Sequence, residues 1–489
     1  MKLLWGDIHN HCNITYGIGT LNHALNNAQR HLDFCSVTPH AFWPDMPEKY
    51  EDMAYICEFH ERGFEKIAAN WHSYISMIDA ANVPGLFTTF FSYEMHSNRW
   101  GDHTFLSHNK DITINRRQSP SEVVESSPHQ MLAIPHHIGY NTGYRGVCWD
   151  SFRNTISPVI EVCSKHGCAM NDRTKRPYYH DMGPLDSCNT VYKGLARGHR
   201  FGFIGSTDHH AGYPGSYGDG KMAVLAQSNS RESIWEAIRS RRCYAVTGDK
   251  IACSFKLNDF DYGSETERKA AHIAYEVNAC STIDRIVVYR DLRPFEIIDG
   301  LKLPYGGKKH KVFLELGWGL SEQPYLWHAN INVDNGKILG AEPCFRGRNF
   351  ISPTQRHDFS DDVNRTRNRV TRLDEYNLSL TCETVKNFST LHPSTAGVIL
   401  EIEGGKDSLV SLEINNRKEC RTIGALLESG FAGQMKPYTS HSYKIHTAVP
   451  HGKYHFSGEV YDAEPGAIYH MEVSQNNGSE AFVSPVFML

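Results

Sequence analysis

The chain has 489 residues, which is too long for one hydrophobic core and predicts two or three domains. A net charge of -5 and the lack of any Lys/Arg run give no reason to expect a nucleic-acid partner. We find no apolar run of about 18 residues and no apolar leader, so neither a membrane span nor a signal peptide is expected. The 13 scattered cysteines contain no CxxC pair, which is typical of reduced thiols in a cytoplasmic protein.

The first apolar segment, residues 3–5, stops at Gly6-Asp7, and two histidines follow it. Residues i and i+2 of an extended chain point to the same side, so His9 and His11 can aim both imidazoles at one point. A divalent metal needs such a pair among its ligands. The alternative is two surface histidines near a terminus.

Short apolar segments alternate with helical stretches through the first 250 residues. We expect strands at residues 32–38, 86–93, 131–135, 158–162 and 201–206, and helices after Thr20, at 58–81 and at 231–241. This alternation predicts βα units and a parallel sheet, in which functional groups gather at the carboxyl ends of the strands. Metal-ligand types lie at or just beyond these ends: His40, Glu94, His136, His137, His166, Asp208 and His210. Their number favours a metal site over a polar barrel mouth without a metal.

Beyond about residue 250, strand-like segments are separated by Gly, Asn, Asp and Pro. The strands are expected at residues 283–289, 310–316, 398–403, 468–473 and 483–487, with turns at 334–336 and 404–405. Residues 345–395 are polar and are expected to form a long excursion between strands. This pattern predicts an antiparallel β-sandwich-like domain over residues 251–489. Its role is structural or oligomeric, or alternatively it overhangs the site and selects the substrate.

Taken together, several of these motifs resemble those of the polymerase and histidinol phosphatase (PHP) superfamily of metal-dependent hydrolases. They are His9-x-His11, Thr38-Pro39-His40, Glu94, His136 and Asp208-x-His210. Over residues 1–250 the resemblance implies a distorted (β/α)7 barrel with two or three metal ions at the carboxyl ends of its strands. Residues 134–137, 206–210 and 239–248 resemble a branch of that superfamily with an appended β domain.

The resemblance also implies a role for each ligand. The first metal would be held by His9, His11, Glu94 and Asp208. Glu94 would bridge to a second metal completed by His103 and His136, and a third would be held by His40 and His210. The chain departs from the family pattern at Pro39, where an Asp is usual, and at residues 13–17, which offer no strong ligand. Hydrogen-bond donation is the alternative role for His40 and His210.

Chemically, a histidine-rich set with two carboxylates suits Zn, Mn or Fe better than Mg or Ca. Two divalent ions that share a carboxylate ionise water near neutral pH, and the shared group should be anionic, as Glu94 is. His137 and His166 lie next to strand ends and are our candidates for donating a proton to a leaving group. Arg145, Arg153 and Lys165 are candidates for binding an anionic substrate.

We therefore predict a cytoplasmic metal-dependent hydrolase that acts on a small anionic molecule, with a phosphoester as the first expectation. A carboxylic ester, lactone or amide would suit the same chemistry, and a non-catalytic metal- or ligand-binding protein is the alternative from another class. A homo-oligomer is compatible with the sequence. Residues 211–220 are expected to form either a lid over the site or a plain connection. Asp7 is expected either to orient a ligand histidine or to cap the turn.

Overall fold

The computed structural model describes residues 1–48, 53–267, 270–321, 323–350, 367–387 and 393–489. The strands of the N-terminal half are β1 (Lys2–Asp7), β2 (Phe34–Cys35), β3 (His40–Phe42), β4 (Thr88–Thr89), β5 (Phe91–Met95), β6 (His103–Ser107), β7 (Leu132–Pro135), β8 (Val159–Ser164), β9 (Gly167–Cys168), β10 (Gly202–Gly205), β11 (Lys221–Ala226) and β12 (Cys243–Val246). The later strands are β13 (Ala252–Leu257), β14 (Phe260–Asp261), β15 (Glu265–Thr266), β16 (Ala271–Asn278), β17 (Ile283–Arg290), β18 (Arg293–Asp299), β19 (Lys309–Gly317), β20 (Tyr325–Cys344), β21 (Arg369–Arg372), β22 (Asn377–Thr384), β23 (Ala396–Ile414), β24 (Arg417–Thr422), β25 (Phe431–Gln434), β26 (Ser442–Ile445), β27 (Val449–Pro450), β28 (His455–Asp462), β29 (Ile468–Gln475) and β30 (Glu480–Met488).

The helices are α1 (Leu21–Ala28), α2 (Ala54–Ala80), α3 (Pro120–Glu125), α4 (Val191–Ala196), α5 (Arg231–Arg239), α6 (Ile423–Glu428) and α7 (His451–Tyr454). The helix expected after Thr20 is confirmed, because the Thr20 side chain accepts a hydrogen bond from the backbone N–H of His23 and so caps the first turn. None of the helices in the described ranges is both long and apolar enough to cross a membrane.

In the described ranges, the strands of the N-terminal half lie in three separate sheets. β1 pairs in parallel with β2 but antiparallel with β11, and β5 pairs in parallel with β3 but antiparallel with β6. The third sheet joins β8 in parallel to β10. The expected parallel pairs are therefore mixed with antiparallel ones, and the sheets do not close into the expected (β/α)7 barrel. One reason is the β5–β6 connection, residues 96–102, which is too short for a parallel crossover.

The C-terminal half contains the expected antiparallel strands. A nine-stranded sheet runs in the order β21-β22-β20-β23-β19-β26-β25, and β24 and β27 attach to it. The turns expected at residues 334–336 and 404–405 are wrong: they are bends inside the long strands β20 and β23, where Gly336 faces Gly404. Asp334 pairs with Leu409 and Gly336 with Gly404, so residues 405–408 of β23 lie opposite Asn335 alone, which has a φ of 53°. This bulge bends the pair without ending either strand.

One sheet extends across residue 250. Its order is β18-β17-β29-β30-β12-β11-β1-β2-β4, and β30 pairs with β12. The Ser484 hydroxyl in β30 also accepts a hydrogen bond of 2.7 Å from the backbone N–H of Phe203 in β10. Of the polar excursion expected at residues 345–395, residues 351–366 and 388–392 lie outside the described residues, and β21 and β22 lie between them.

Candidate metal centre

The backbone after β1 is joined to the backbone after β10. His11 N–H donates to the His209 carbonyl, and Asp208 N–H donates to the His9 carbonyl, both at 2.9 Å. The Asp7 carboxylate fixes the same junction, because it accepts hydrogen bonds from His9 N–H at 3.2 Å, the Thr207 hydroxyl at 2.6 Å and Gly215 N–H at 2.8 Å. Burial raises the pKa of Asp7 to about 6 despite these donors. These contacts fit the role of Asp7 as a cap of the turn better than that of a residue that orients a ligand histidine.

His9 and His11 present their Nε2 atoms to one point. His11 Nδ1 lies 2.6 Å from the Thr38 carbonyl oxygen, which only accepts, so Nδ1 carries the proton and Nε2 keeps its lone pair. His9 Nδ1 lies 2.8 Å from Glu161 Oε2 and donates to it in the same way. The two Nε2 atoms are 3.1 Å apart. A carboxylate or carbonyl behind each imidazole is the usual support of a histidine that binds a metal.

The buried Glu94 carboxylate faces a different group of imidazoles with each oxygen. Oε2 lies 3.3–3.5 Å from the Nε2 atoms of His9, His11 and His40. Oε1 lies 3.2 Å from His96 Nδ1 and His136 Nε2. Oε2 is buried and accepts no hydrogen bond. A buried anionic oxygen that is surrounded by imidazole nitrogens and accepts no hydrogen bond indicates a cation-binding site. In a cluster held together by hydrogen bonds alone, this oxygen would accept one.

Asp208 joins the two histidines of β1 to the candidate proton donors. Its Oδ1 lies 3.0 Å from His11 Nε2, and its Oδ2 lies 3.0 Å from His166 Nε2 and 3.7 Å from His137 Nε2. The His166 Nδ1 atom in turn contacts the Tyr140 hydroxyl at 2.8 Å. Asp208 and His137 have φ values of 48° and 54°. Such left-handed backbone is costly for residues other than glycine and is concentrated at functional sites.

His40 and His210 lie beside His11. Their rings stack against the His11 ring with centroid separations of 4.0 Å and 4.2 Å, and one ligand atom from each of the three residues lies within 4.8 Å of the others. His210 Nε2 is buried without a hydrogen-bond partner. The arrangement is compatible with a third ion and with hydrogen-bond donation, the two roles considered from the sequence.

The electrostatics favour an ionised Glu94 carboxylate and neutral imidazoles at His40, His137 and His210. Burial alone would raise the pKa of Glu94, but His40, His96 and His136 hold it well below its usual range. Burial and neighbouring histidines hold the pKa values of His40, His137 and His210 well below normal. For His9, burial is outweighed by the charges of Glu161 and Asp208, which raise its pKa. The centre therefore attracts a positive charge beside His9, whether proton or metal ion.

Asp102 and Arg145 form an ion pair at the edge of the centre. Arg145 Nε donates to Asp102 Oδ2 at 2.7 Å, and its Nη2 contacts both Asp102 and His96. Burial opposes the charge on Asp102, but Arg145 and His96 lower its pKa to about 2. Arg145, a candidate for substrate binding, is thus already held by a carboxylate. Asp102 Oδ2 also lies within 4 Å of His136 and His137.

Three of the other sequence candidates lie apart from the centre. His103 pairs with Met95 across β5 and β6 while Glu94 pairs with Thr104, so His103 lies on the opposite face of that sheet from Glu94. Its Nδ1 contacts the Gly101 carbonyl at 2.8 Å. Arg153 is mostly exposed and pairs with Glu125. Lys165 pairs with Asp219 at 3.1 Å.

Sequence reasoning missed His96, Asp102 and Glu161. His96 follows Glu94 at the same i, i+2 spacing that identified His9 and His11, so the signal was present. Glu161 is the one acidic residue in a buried strand, β8, and a lone buried acid predicts a buried partner. Nothing in the chain separates Asp102 from an ordinary turn residue before β6. Residues 211–220 are largely buried and hydrogen-bonded to Asp7 and Phe345, so they form a packed connection.

Parts of the chain are similar to proteins whose function is not described. A family described as protein of unknown function (DUF3604) matches residues 215–283, which contain β11, α5 and β12 but none of the candidate ligands. Uncharacterized proteins of Chlamydia trachomatis and Chlamydia muridarum are 30% identical over 157 and 152 residues, 29% of this chain and 24% of theirs. The chain thus matches about a quarter of the length of these relatives.

The chain is also similar to solved structures. One of them is a two-domain protein from Bacteroides vulgatus containing a predicted PHP-like metal-dependent phosphoesterase, with 13% identity and a TM-score of 0.34. The similarity covers 61% of this chain and 85% of that one. The candidate metal centre is defined by its own geometry: a buried group of histidines and carboxylates whose ligand atoms are close enough to hold metal ions.

Proposed function

We propose that this chain is a metal-dependent hydrolase that uses two or three divalent transition-metal ions, Zn, Mn or Fe, to cleave a phosphoester of a small anionic molecule. Residues 1–250 supply the metal centre, and residues 251–489 form an accessory unit. One ion is assigned to His9, His11, Glu94 and Asp208, and the second to Glu94 with His136 and His96. A third is assigned to His40 and His210, whose rings stack against the His11 ring.

One observation carries the proposal: each oxygen of Glu94 faces its own group of imidazole nitrogens at 3.2–3.5 Å. A carboxylate placed in this way can be shared by two cations. A simple His–Glu hydrogen bond would require one imidazole, not a separate group of imidazoles at each oxygen. Imidazole-rich sites with a few carboxylates select transition metals over Mg and Ca. The PHP resemblance of the sequence motifs implies the same ligands except at the second ion, where His96 takes the place of His103.

When bound, divalent ions would polarise a phosphoryl oxygen and let water ionise near neutral pH. The chain's own residues prepare the site for that chemistry. None of the described ligand candidates is more than 6% exposed, so bulk water is excluded and electrostatic interactions are strong. His137 and His166 lie beside Asp208 Oδ2, where either imidazole can hold or move a proton of the substrate.

The same enclosure favours one second candidate, a non-catalytic metal-binding protein, because a closed coordination sphere is typical of structural sites. A carboxylic ester, lactone or amide would use the same groups as a phosphoester. Rates with p-nitrophenyl phosphate, bis-p-nitrophenyl phosphate and p-nitrophenyl acetate separate these substrate classes. No turnover of any of them by metal-replete protein would favour the non-catalytic role.

The decisive variant is Glu94→Gln, which keeps the side-chain volume and removes the shared charge. We expect bound metal and turnover to fall together, with a loss of metal affinity above about 100-fold, since loss of an outer-shell partner alone costs 10- to 100-fold. Metal content is measured by mass spectrometry of the purified protein. Glu125→Gln, an exposed acid paired with Arg153, is the matched control and should match the wild type. Unchanged metal content in Glu94→Gln would refute the bridging assignment.

A further inference from the structure

A basic cavity of about 620 Å³ lies beside the metal centre. Among the described residues that line it, the cationic side chains are Lys165, Lys175, Arg176, Lys311 and Arg346, and the acidic ones are Asp219 and Glu315. The volume lies within the usual range of small-molecule sites, roughly 300–1,000 Å³. The excess of positive charge selects an anion.

Two arginines from distant parts of the chain meet at one loop of this cavity. Arg176 donates to the carbonyl oxygens of Gly218 and Asp219. Arg346 donates to the Tyr217 carbonyl, and its guanidinium lies 4.6 Å from the centre of the Tyr217 ring. A Cβ added at Gly218 would lie 2.5 Å from Arg346 Nη1, so a larger residue there would displace the guanidinium from this position.

The carbonyl oxygens that Arg176 contacts are neutral, so these contacts orient its guanidinium and leave its charge in place. Three lysines of the cavity contact carboxylates: Lys165 with Asp219 at 3.1 Å, Lys175 with Asp284 at 3.4 Å and Lys311 with Glu401 at 3.4 Å. An arginine carries five N–H donors in a rigid fork. The contacts of Arg176 with the loop therefore leave further donors for a ligand.

The basic cavity adjoins the metal centre and depends on both halves of the chain. Lys165 precedes His166, and Asp219 Oδ2 lies 3.8 Å from His209 Nε2. The opposite wall comes from beyond residue 250, through β19 and the segment after β20 that carries Arg346. Gly347 in that segment packs on the His209 ring.

We propose that the basic cavity binds a phosphate-bearing small molecule, with Arg176 and Arg346 clamping the phosphate oxygens. Paired guanidiniums recognise a phosphate through parallel, charge-assisted hydrogen bonds. The phosphate belongs either to the far end of the substrate or to a separate effector. Only the first of these sources depends on the proposed hydrolase activity.

Calorimetric titration of the full-length, metal-replete protein with inorganic pyrophosphate tests the site. We expect Arg176→Met and Arg346→Met each to weaken binding about 10- to 100-fold, as loss of a charge-assisted contact does. Arg173→Met, which removes an exposed charge from the same loop, is the control and should bind as the wild type. Glu94→Gln, which disturbs the metal centre, should keep this binding. Normal pyrophosphate binding by both arginine variants would overturn the proposal, and loss of binding in Glu94→Gln would place the pyrophosphate at the metal centre instead.

Two further measurements keep the result interpretable. Arg176→Lys retains the charge and should recover part of the affinity, and melting temperatures near that of the wild type exclude unfolding as the cause of a loss. Kinetics with p-nitrophenyl phosphate then identify the source of the phosphate. Competitive inhibition by pyrophosphate that disappears in the arginine variants assigns the cavity to the substrate, and a change in kcat assigns it to an effector. Lack of turnover would contradict the proposed activity and leave the binding result intact.

Discussion

The contact between His9 Nδ1 and Glu161 Oε2 gives the most informative perturbation, because Glu161 supports a ligand without being one. Both side chains are at most 3% exposed, and the two atoms are 2.8 Å apart. Glu161→Gln keeps the volume of the side chain and removes the charge that holds the His9 proton on Nδ1. Loss of such a partner typically weakens metal binding 10- to 100-fold, or about 1.4–2.8 kcal/mol.

The assay is a competition titration of metal-stripped protein against a chelator of known affinity, with Zn and Mn tested separately. Glu315→Gln is the matched control, because Glu315 Oε2 also lies 2.8 Å from a histidine, His446, in the C-terminal sheet. The control should retain wild-type metal affinity and show that loss of a His–Glu contact elsewhere is harmless to the centre. If Glu161→Gln binds both metals as tightly as the wild type, His9 is not held as a ligand by this carboxylate.

Three further predictions concern stability. Burial raises the pKa of Glu480 from 4.5 to about 7, so the native state binds its proton more tightly, and stability is lost as pH rises through that window by up to about 3 kcal/mol. Glu480→Gln should therefore stabilise the protein in urea unfolding near pH 8 and have little effect near pH 5; an equal effect at both values contradicts this. A Cβ at Gly6 would lie 2.2 Å from the buried Phe34 ring, so Gly6→Ala should cost about 1–3 kcal/mol in the same assay, while Gly306→Ala, with open space around it, should be near neutral. Removal of metal with a chelator should lower the melting temperature, since metal at 1,000 times its Kd adds about 4 kcal/mol, and re-addition should restore it; an unchanged melting temperature would argue against a bound ion.

Local signals in the sequence predicted where many elements lie but not how they pair. The cap at Thr20 and the apolar segments that became β7, β8 and β10 follow from nearest-neighbour preferences. Strand direction depends on partners far along the chain. β11, for example, is antiparallel to both β1 and β12, although a helix, α5, connects β11 to β12 as in a parallel unit. The hydrophobic periodicity of a strand contains no information on whether it pairs in parallel or antiparallel, so the sequence could not predict that these strands would depart from the barrel topology.

The same limit applies to the candidate centre. The i, i+2 spacing places His9 and His11 together because the geometry is local. His103 was chosen by its place in a motif, and the pairing of β5 with β6 puts it on the other face. The Glu161 contact spans 152 residues, and only the three-dimensional structure reveals it.

The pairing of β30 with β12 has a consequence for how the protein is made. Until residue 488 has left the ribosome, β12 is an open edge next to β11 and β1, and open edges attract other strands. The edge of β12 therefore stays unpaired in the nascent chain while more than two hundred further residues are synthesised. A chaperone that covers the β12 edge during this interval would keep it from pairing with strands of other chains and so prevent aggregation of the nascent chain.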